Sequence, residues 1–86
     1  MARYNSLSDE ENILLEVEKG TLSSNDVQIL LGNVNLSYAS NILRDLWGRR
    51  LLTRKKITKE NGGIKYLYSL SNSGRKILNK LHEQGY

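Results

Sequence analysis

Eleven lysines and arginines fall in residues 44–86, against only Asp45, Glu60 and Glu83, a balance of +8. Residues 1–26 run the other way: Asp9, Glu10, Glu11, Glu16, Glu18 and Asp26 face Arg3 and Lys19, a balance of −4. The stretch 27–43 carries no formal charge, so the chain's net +4 hides one basic half and one acidic half. A one-sided basic field is the electrostatic footprint of a protein that meets a polyanion, above all a nucleic acid. Side chains suited to catalysis are scarce beside it. His82 is the single histidine and cysteine is absent, which excludes disulfides and thiolate metal sites and leaves no second histidine for a zinc site. Asp9, Glu10 and Glu11 are neighbours on one helix rather than convergent carboxylates, and Gly62-Gly63 reads as a turn rather than a phosphate cradle. No catalytic residue, metal ligand or cofactor is expected, and the chemistry implied is binding.

Four segments with helical period and one hairpin must position these charges. Ser8 with Glu11 fits a capping box ahead of Ile13, Leu14 and Val17, and Gly20 closes a first helix over about 9–19. The acids at 9–11 sit at the positive end of that helix's dipole. A short second helix, about 24–31, has Ser23 or Ser24 as its cap, with Val27, Leu30 and Leu31 inward. Gly32-Asn33 turns the chain, and Asn35 caps a third helix over about 35–48. Leu36, Ala39, Ile42, Leu43 and Leu46 take one face of it; Ser37, Tyr38, Asn41, Arg44 and Asp45 take the other.

From Leu52 the pattern becomes strand-like. Segments 52–59 and 64–70 flank Glu60-Asn61-Gly62-Gly63, and Asn-Gly predicts a tight type I′ hairpin with φ > 0 at two residues. The hairpin is basic, with Arg54, Lys55, Lys56, Lys59 and Lys65. Strand alternation means that its cations cannot all face one way. Tyr66 and Tyr68 read as hairpin core and Trp47 as a partly buried packing residue. A fourth helix over about 73–84 opens at Ser71 or Ser73 and turns Ile77, Leu78 and Leu81 inward. The fold class is therefore α+β, mostly α. Eighty-six residues are expected to form one domain with a small core and no room for a separate ligand-sensing domain. The N-terminus has no apolar run of the signal-peptide kind, nothing approaches the ~20 apolar residues of a membrane span, and a cytoplasmic setting is expected.

Helix, helix-turn-helix, hairpin, helix resembles the order of a winged helix-turn-helix, and the likeness extends to particular residues. Asp26-Val27-Gln28-Ile29-Leu30-Leu31-Gly32 resembles the first helix of the motif with its turn glycine. Val34-Asn35 with Ser40, Leu43 and Leu46 resembles the second, and Leu51-Leu52-Thr53-Arg54 the leucine-rich run into the wing. Tyr68-Ser69-Leu70-Ser71-Asn72-Ser73-Gly74 is similar to the Tyr-x-Leu-Thr-x-x-Gly wing exit of MarR- and PadR-like bacterial and archaeal transcription regulators, with Ser71 for threonine. The likeness covers roughly residues 22–80. Three positions depart from it: Arg50 stands where the family usually has glycine, Asn33 adds a residue to the turn, and Gln28 replaces a small alanine.

The resemblance implies a sequence-specific binder of double-stranded DNA, a transcription regulator acting as a repressor by promoter occupancy. It implies that Ser37, Tyr38, Asn41 and Arg44 read bases, with Asn41 suited to adenine and Arg44 to guanine. Asn35 would meet a phosphate. Arg54, Lys55, Lys56, Lys59 and Lys65 would place wing charge on the backbone or in the adjacent minor groove, giving affinity and salt dependence rather than sequence choice. Arg49 fits DNA contact and a role at the helix C-terminal dipole equally well, as does Arg50. A palindromic site calls for a homodimer. Its expected element is the last helix, 73–84, with residues 1–8 as a second contributor that packs through Tyr4 and Leu7 on the partner or on their own last helix. Two alternatives remain: a winged helix used for protein–protein assembly, and an architectural DNA binder without sequence preference.

Overall fold

A computed structural model describes residues 3–86. Helix α1 (Asp9–Val17) is opened by the expected capping box: the Glu11 N–H donates to Ser8 Oγ at 3.2 Å and the Ser8 N–H donates to the Glu11 carboxylate at 3.0 Å. It is two residues shorter than its period suggested. The Lys19 and Gly20 N–H groups reach back only three residues, to the carbonyls of Glu16 and Val17, so the helix tightens and stops. Helix α2 (Ser24–Leu30) carries a second capping box, Ser23 with Asp26. After it the Asn33 N–H donates to the Gln28 carbonyl at 2.9 Å while Gly32 and Asn33 take φ of 84° and 64°. This is a Schellman-type close in which Asn33, the extra turn residue, tolerates the left-handed region.

Helix α3 (Leu36–Gly48) follows, capped by Asn35, whose Oδ1 accepts from the Tyr38 N–H at 2.9 Å. Strands β1 (Leu52–Thr58) and β2 (Ile64–Leu70) pair antiparallel from Leu52 opposite Leu70 to Thr58 opposite Ile64. Leu22, between α1 and α2, adds an isolated bridge: it exchanges two backbone hydrogen bonds with Tyr68, at 3.0 and 2.8 Å. That bridge fixes the base of the hairpin to the body. The tip differs from the type I′ turn expected. Gly62 alone has positive φ in the turn, its N–H donates to the Lys59 carbonyl at 3.0 Å, and the Lys59 N–H closes on the Gly63 carbonyl at 2.7 Å. One left-handed glycine after a regular turn is the longer hairpin closure with a bulge, and it leaves Asn61 free to accept from the Gly63 N–H.

Arg50 and Gly74 make one junction. Arg50 holds φ of 64°, so the glycine that usually stands there in the resembling family has a conformational reason. Helix α4 (Asn72–Glu83) starts against it. Its cap Ser71 donates from Oγ to the Arg50 carbonyl at 2.6 Å and accepts from the Gly74 N–H at 3.0 Å, and its N–H donates to the Leu51 carbonyl. A Cβ on Gly74 would lie 2.2 Å from the Leu51 carbonyl oxygen, so only glycine lets α4 approach this closely.

The core gathers one face of every element: Ile13 and Leu14 of α1, Val27 and Leu30 of α2, Ala39, Leu43 and Leu46 of α3, Leu52 and Tyr68 of the hairpin, and Leu78 and Leu81 of α4. Truncating any buried leucine among them would cost about 2–5 kcal/mol. Asn12 and the cap Ser23 are buried polar residues, and Asn12 is satisfied: Oδ1 accepts from the Tyr4 N–H at 2.7 Å, and Nδ2 donates to the carbonyls of Tyr4 and Ser8. Residues 3–8 lie on their own chain. Tyr4 stacks edge-on against Tyr86 at 5.0 Å, Ser6 bonds the Tyr86 hydroxyl, and Arg3 donates to the Leu31 carbonyl. Of the N-terminal segment expected to contribute to a dimer, Met1 and Ala2 lie outside the described residues. No helix among the described residues is long and apolar enough to cross a membrane.

Candidate nucleic-acid interface

Helix α3 buries Ala39, Leu43 and Leu46, and helical period then sets what points away from the body. Ser37, Asn41 and Arg44 lie along the outward line and are exposed. Tyr38 is rotated toward the N-terminus of α1, where its hydroxyl donates to the Asp9 carboxylate at 2.6 Å. That bond, then burial, then the charges of Asp9 and Glu10 hold the phenol above its ordinary pKa. Arg49 lies on the same edge. It pairs with Glu10 across to α1 and with Asp45 one turn back at 2.9 Å. The Glu10 hydrogen bond is the main reason its pKa rises further. The structure thus brings Ser37, Asn41 and Arg44 together and ties Tyr38 and Arg49 to the acidic start of α1.

The opposite edge of α3 faces the hairpin. Between them runs a trough whose lining includes Leu36, Ser40, Arg44, Lys59, Lys65 and Tyr66. Ser40 donates from Oγ to Ser24 Oγ at 2.9 Å, linking the start of α2 to α3. Arg54 also lines this trough, half-buried, with its guanidinium carbon 3.6 Å from the Trp47 ring centroid and 4.1 Å from that of Tyr66. Register and alternation put Lys56 on the same hairpin face as Arg54, and Lys55 on the other. Asn35 is partly committed, since its carbonyl oxygen caps α3 and its amide N–H groups stay free to donate.

Sequence reasoning missed the stack around Arg54 and the serine link between α2 and α3. Trp47, Arg54 and Tyr66 are each ordinary in their own windows, and only the hairpin register with the exit direction of α3 brings them together. Ser40 stood in the motif but gave no sign of its partner Ser24.

The charges are sorted by this arrangement. Ion pairs among the described residues involve Arg3, Lys19, Arg49, Arg75 and His82 with Asp9, Glu10, Glu16, Glu18 and Asp45. Arg44 and the cations of the hairpin are in none of them. Uncompensated positive charge therefore borders the trough at Arg44 and lies on both faces of the hairpin, while the cations beside α1 are paired; Arg50, Lys76 and Lys80 are also in no ion pair among the described residues.

No family model matches the chain, and no curated protein matches it. Among solved structures, Bacillus subtilis PadR in complex with operator DNA has a similar fold, with a TM-score of 0.74 and 24% sequence identity over 84% of this chain. The chain spans 45% of that protein's length. The fold is a winged helix: α2 and α3 form the helix-turn-helix, the β1–β2 hairpin is the wing, and α1 and α4 pack behind them.

Proposed function

We propose that this protein is a transcription regulator that binds double-stranded DNA sequence-specifically and represses by occupying a promoter. The observation that carries the proposal is the sorting of charge: cations on the α1 side are paired, whereas Arg44, Lys55, Lys56, Lys59 and Lys65 are not. Exposed, unpaired cations on both faces of a hairpin beside an outward polar helix line suit phosphates flanking a groove. The similar fold of PadR in complex with operator DNA supports the same reading.

In this proposal α3 enters the major groove, and Ser37, Asn41 and Arg44 face the base edges. Asn41 offers the amide pair that matches adenine and Arg44 the fork that matches guanine, each contributing about 1–3 kcal/mol of discrimination. Tyr38 reaches bases only by leaving Asp9, so it is an edge contact at most. The wing lysines neutralise backbone phosphates, and the free amide of Asn35 donates to one.

Two copies on a palindrome fit the helix-turn-helix geometry, but α4 offers little apolar surface for pairing. Leu78 and Leu81 are buried inside their own chain, Ile77 is half-buried, and Lys76, Asn79, Lys80 and Glu83 are exposed. The pair therefore forms on the operator rather than in free solution. Sedimentation should give a monomer at micromolar concentration and a 2:1 complex on a palindromic duplex.

Selection of tight binders from a randomised duplex pool tests specificity. An enriched consensus that Arg44→Ala loses at one base pair supports base reading by α3. Enrichment of nothing, with tight binding throughout, would make the protein an architectural binder. No binding at all would leave a protein-assembly role.

A further inference from the structure

We infer that Arg54 is a positioning residue that sets the angle of the wing against the recognition helix, and that it does so by stacking between Trp47 and Tyr66 rather than by meeting a phosphate. The inference rests on the DNA-binding reading only for its consequence; the stack itself is a property of the free protein.

Arg54 is in β1, Trp47 is in the last turn of α3, and Tyr66 is in β2, so this one guanidinium bridges three elements. Its guanidinium carbon lies 3.6 Å from the centroid of the indole and 4.1 Å from that of the phenol ring. Such a planar cation between two rings has its orientation fixed, which a flexible ammonium could not match. Tyr66 in turn lies 6.4 Å from Tyr68, a buried residue held by the Leu22 bridge. The stack thus runs from α3 through the hairpin to the core.

The position along the hairpin matters as much as the stack. Arg54 is opposite Tyr68, near the base, whereas Lys56 and Lys65 lie farther out and Lys59 is in the tip. Main-chain bonds to Leu22 hold the base, and beyond them the wing is a two-stranded ribbon, a unit with little stability of its own. The stack starts level with that base, at Arg54, and reaches Tyr66 one step beyond it, and it grips the helix that faces the bases. No carboxylate pairs with Arg54 among the described residues, so ion pairing does not explain its placement. Lys55 and Lys59, in no ion pair among the described residues, suit phosphate contact without help from Arg54.

The chain has no cysteine, so spin labels can be placed at will. One at Glu60→Cys on the wing tip and one at Asn79→Cys on the exposed face of α4 report the wing angle without DNA. The distance distribution should be narrow in the parent, broaden in Arg54→Lys and Trp47→Ala, and stay narrow in Trp47→Phe, which keeps a ring. An unchanged distribution in Arg54→Lys and Trp47→Ala overturns the inference. Trp47 is the only tryptophan, so its emission should shift in Arg54→Lys as the guanidinium leaves the indole. On DNA, Arg54→Lys should bind about five- to tenfold more weakly with its salt dependence intact, because charge is kept and stacking is lost. Full affinity in Arg54→Lys, with a salt slope reduced by about 0.9 in Arg54→Gln, would make Arg54 an ordinary phosphate contact and overturn the inference. Failure of the parent to bind DNA would defeat the proposed function, and the label distances would still decide the role of Arg54.

Discussion

The Tyr38 hydroxyl donates to the Asp9 carboxylate across 2.6 Å, joining α3 to the first turn of α1. The contact does two things at once. It fixes one edge of α3 against the body, and it brings a negative charge to the border of the surface proposed to meet DNA.

Asp9→Asn should therefore strengthen binding to random duplex DNA. Removing a unit of like charge beside a phosphate-facing surface is worth about three- to tenfold at low salt and little at high salt. Stability should fall by about 0.5 kcal/mol, because Asp9 also sits at the positive end of the α1 dipole. Anisotropy titrations at two salt concentrations check the first effect and urea unfolding the second. Weaker binding in the variant would place Tyr38 and Asp9 in a geometry that DNA needs intact.

Gly74→Ala should be the most damaging methyl in the chain. Its Cβ would meet the Leu51 carbonyl oxygen at 2.2 Å, and that carbonyl also accepts from the Ser71 N–H, so neither side can shift without breaking the cap. A loss of about 2–4 kcal/mol is expected by urea unfolding, in the range of overpacked or strained core sites. A change below about 0.5 kcal/mol, the level of an unremarkable surface site, would mean that α4 is free to slide.

Arg50→Gly should have the opposite sign. Leaving the left-handed region to glycine removes about 1–2 kcal/mol of steric cost, and the looser unfolded chain returns part of it. A net gain of up to about 1 kcal/mol is expected. If Arg50 also contacts DNA, the same variant will bind less tightly while folding more firmly, which separates its two sequence-level roles.

His82 should give the chain a pH dependence. The Tyr86 main-chain oxygen at 2.9 Å, and then the Glu18 carboxylate at 3.0 Å, hold the imidazole above its ordinary value of 6.5, while burial and Arg75 pull the other way. A raised folded-state pKa stabilises fully below the ordinary value and is lost as pH climbs through the folded one. The melting temperature should therefore drop between about pH 6 and pH 8 more in the wild type than in His82→Gln. Parallel curves for the two proteins would remove His82 from the ledger.

Much of the element order was legible because its signals are local. Ser8 with Glu11, Ser23 with Asp26, and Asn35 are caps whose partners lie three residues away, and the outward line of Ser37, Asn41 and Arg44 follows from helical period. What the sequence did not disclose depends on distant partners or on backbone choice. Nothing near Tyr38 announces Asp9, twenty-nine positions away, so Tyr38 read as one more base-facing residue. Arg49 read equally well as dipole complement or DNA contact, and nothing near it announced its pairing with Glu10 of α1. Arg54 read as one wing charge among five, since a stack on Trp47 and Tyr66 needs the hairpin register. The Asn61-Gly62 pair read as a type I′ turn with two left-handed residues, and the extra loop residues instead gave a closure with a single left-handed glycine.

The most direct test of the central claim is fluorescence anisotropy of a labelled random-sequence duplex titrated with the protein across a salt series. The charge sorting on this surface calls for binding at low salt that weakens linearly in a log–log plot, with a slope of about −3 to −5 for four to five phosphate contacts. The quadruple variant Lys55→Gln, Lys56→Gln, Lys59→Gln, Lys65→Gln should flatten that slope while its folding stays intact. Absence of binding at low salt, or binding whose salt slope the wing substitutions leave unchanged, would contradict the account.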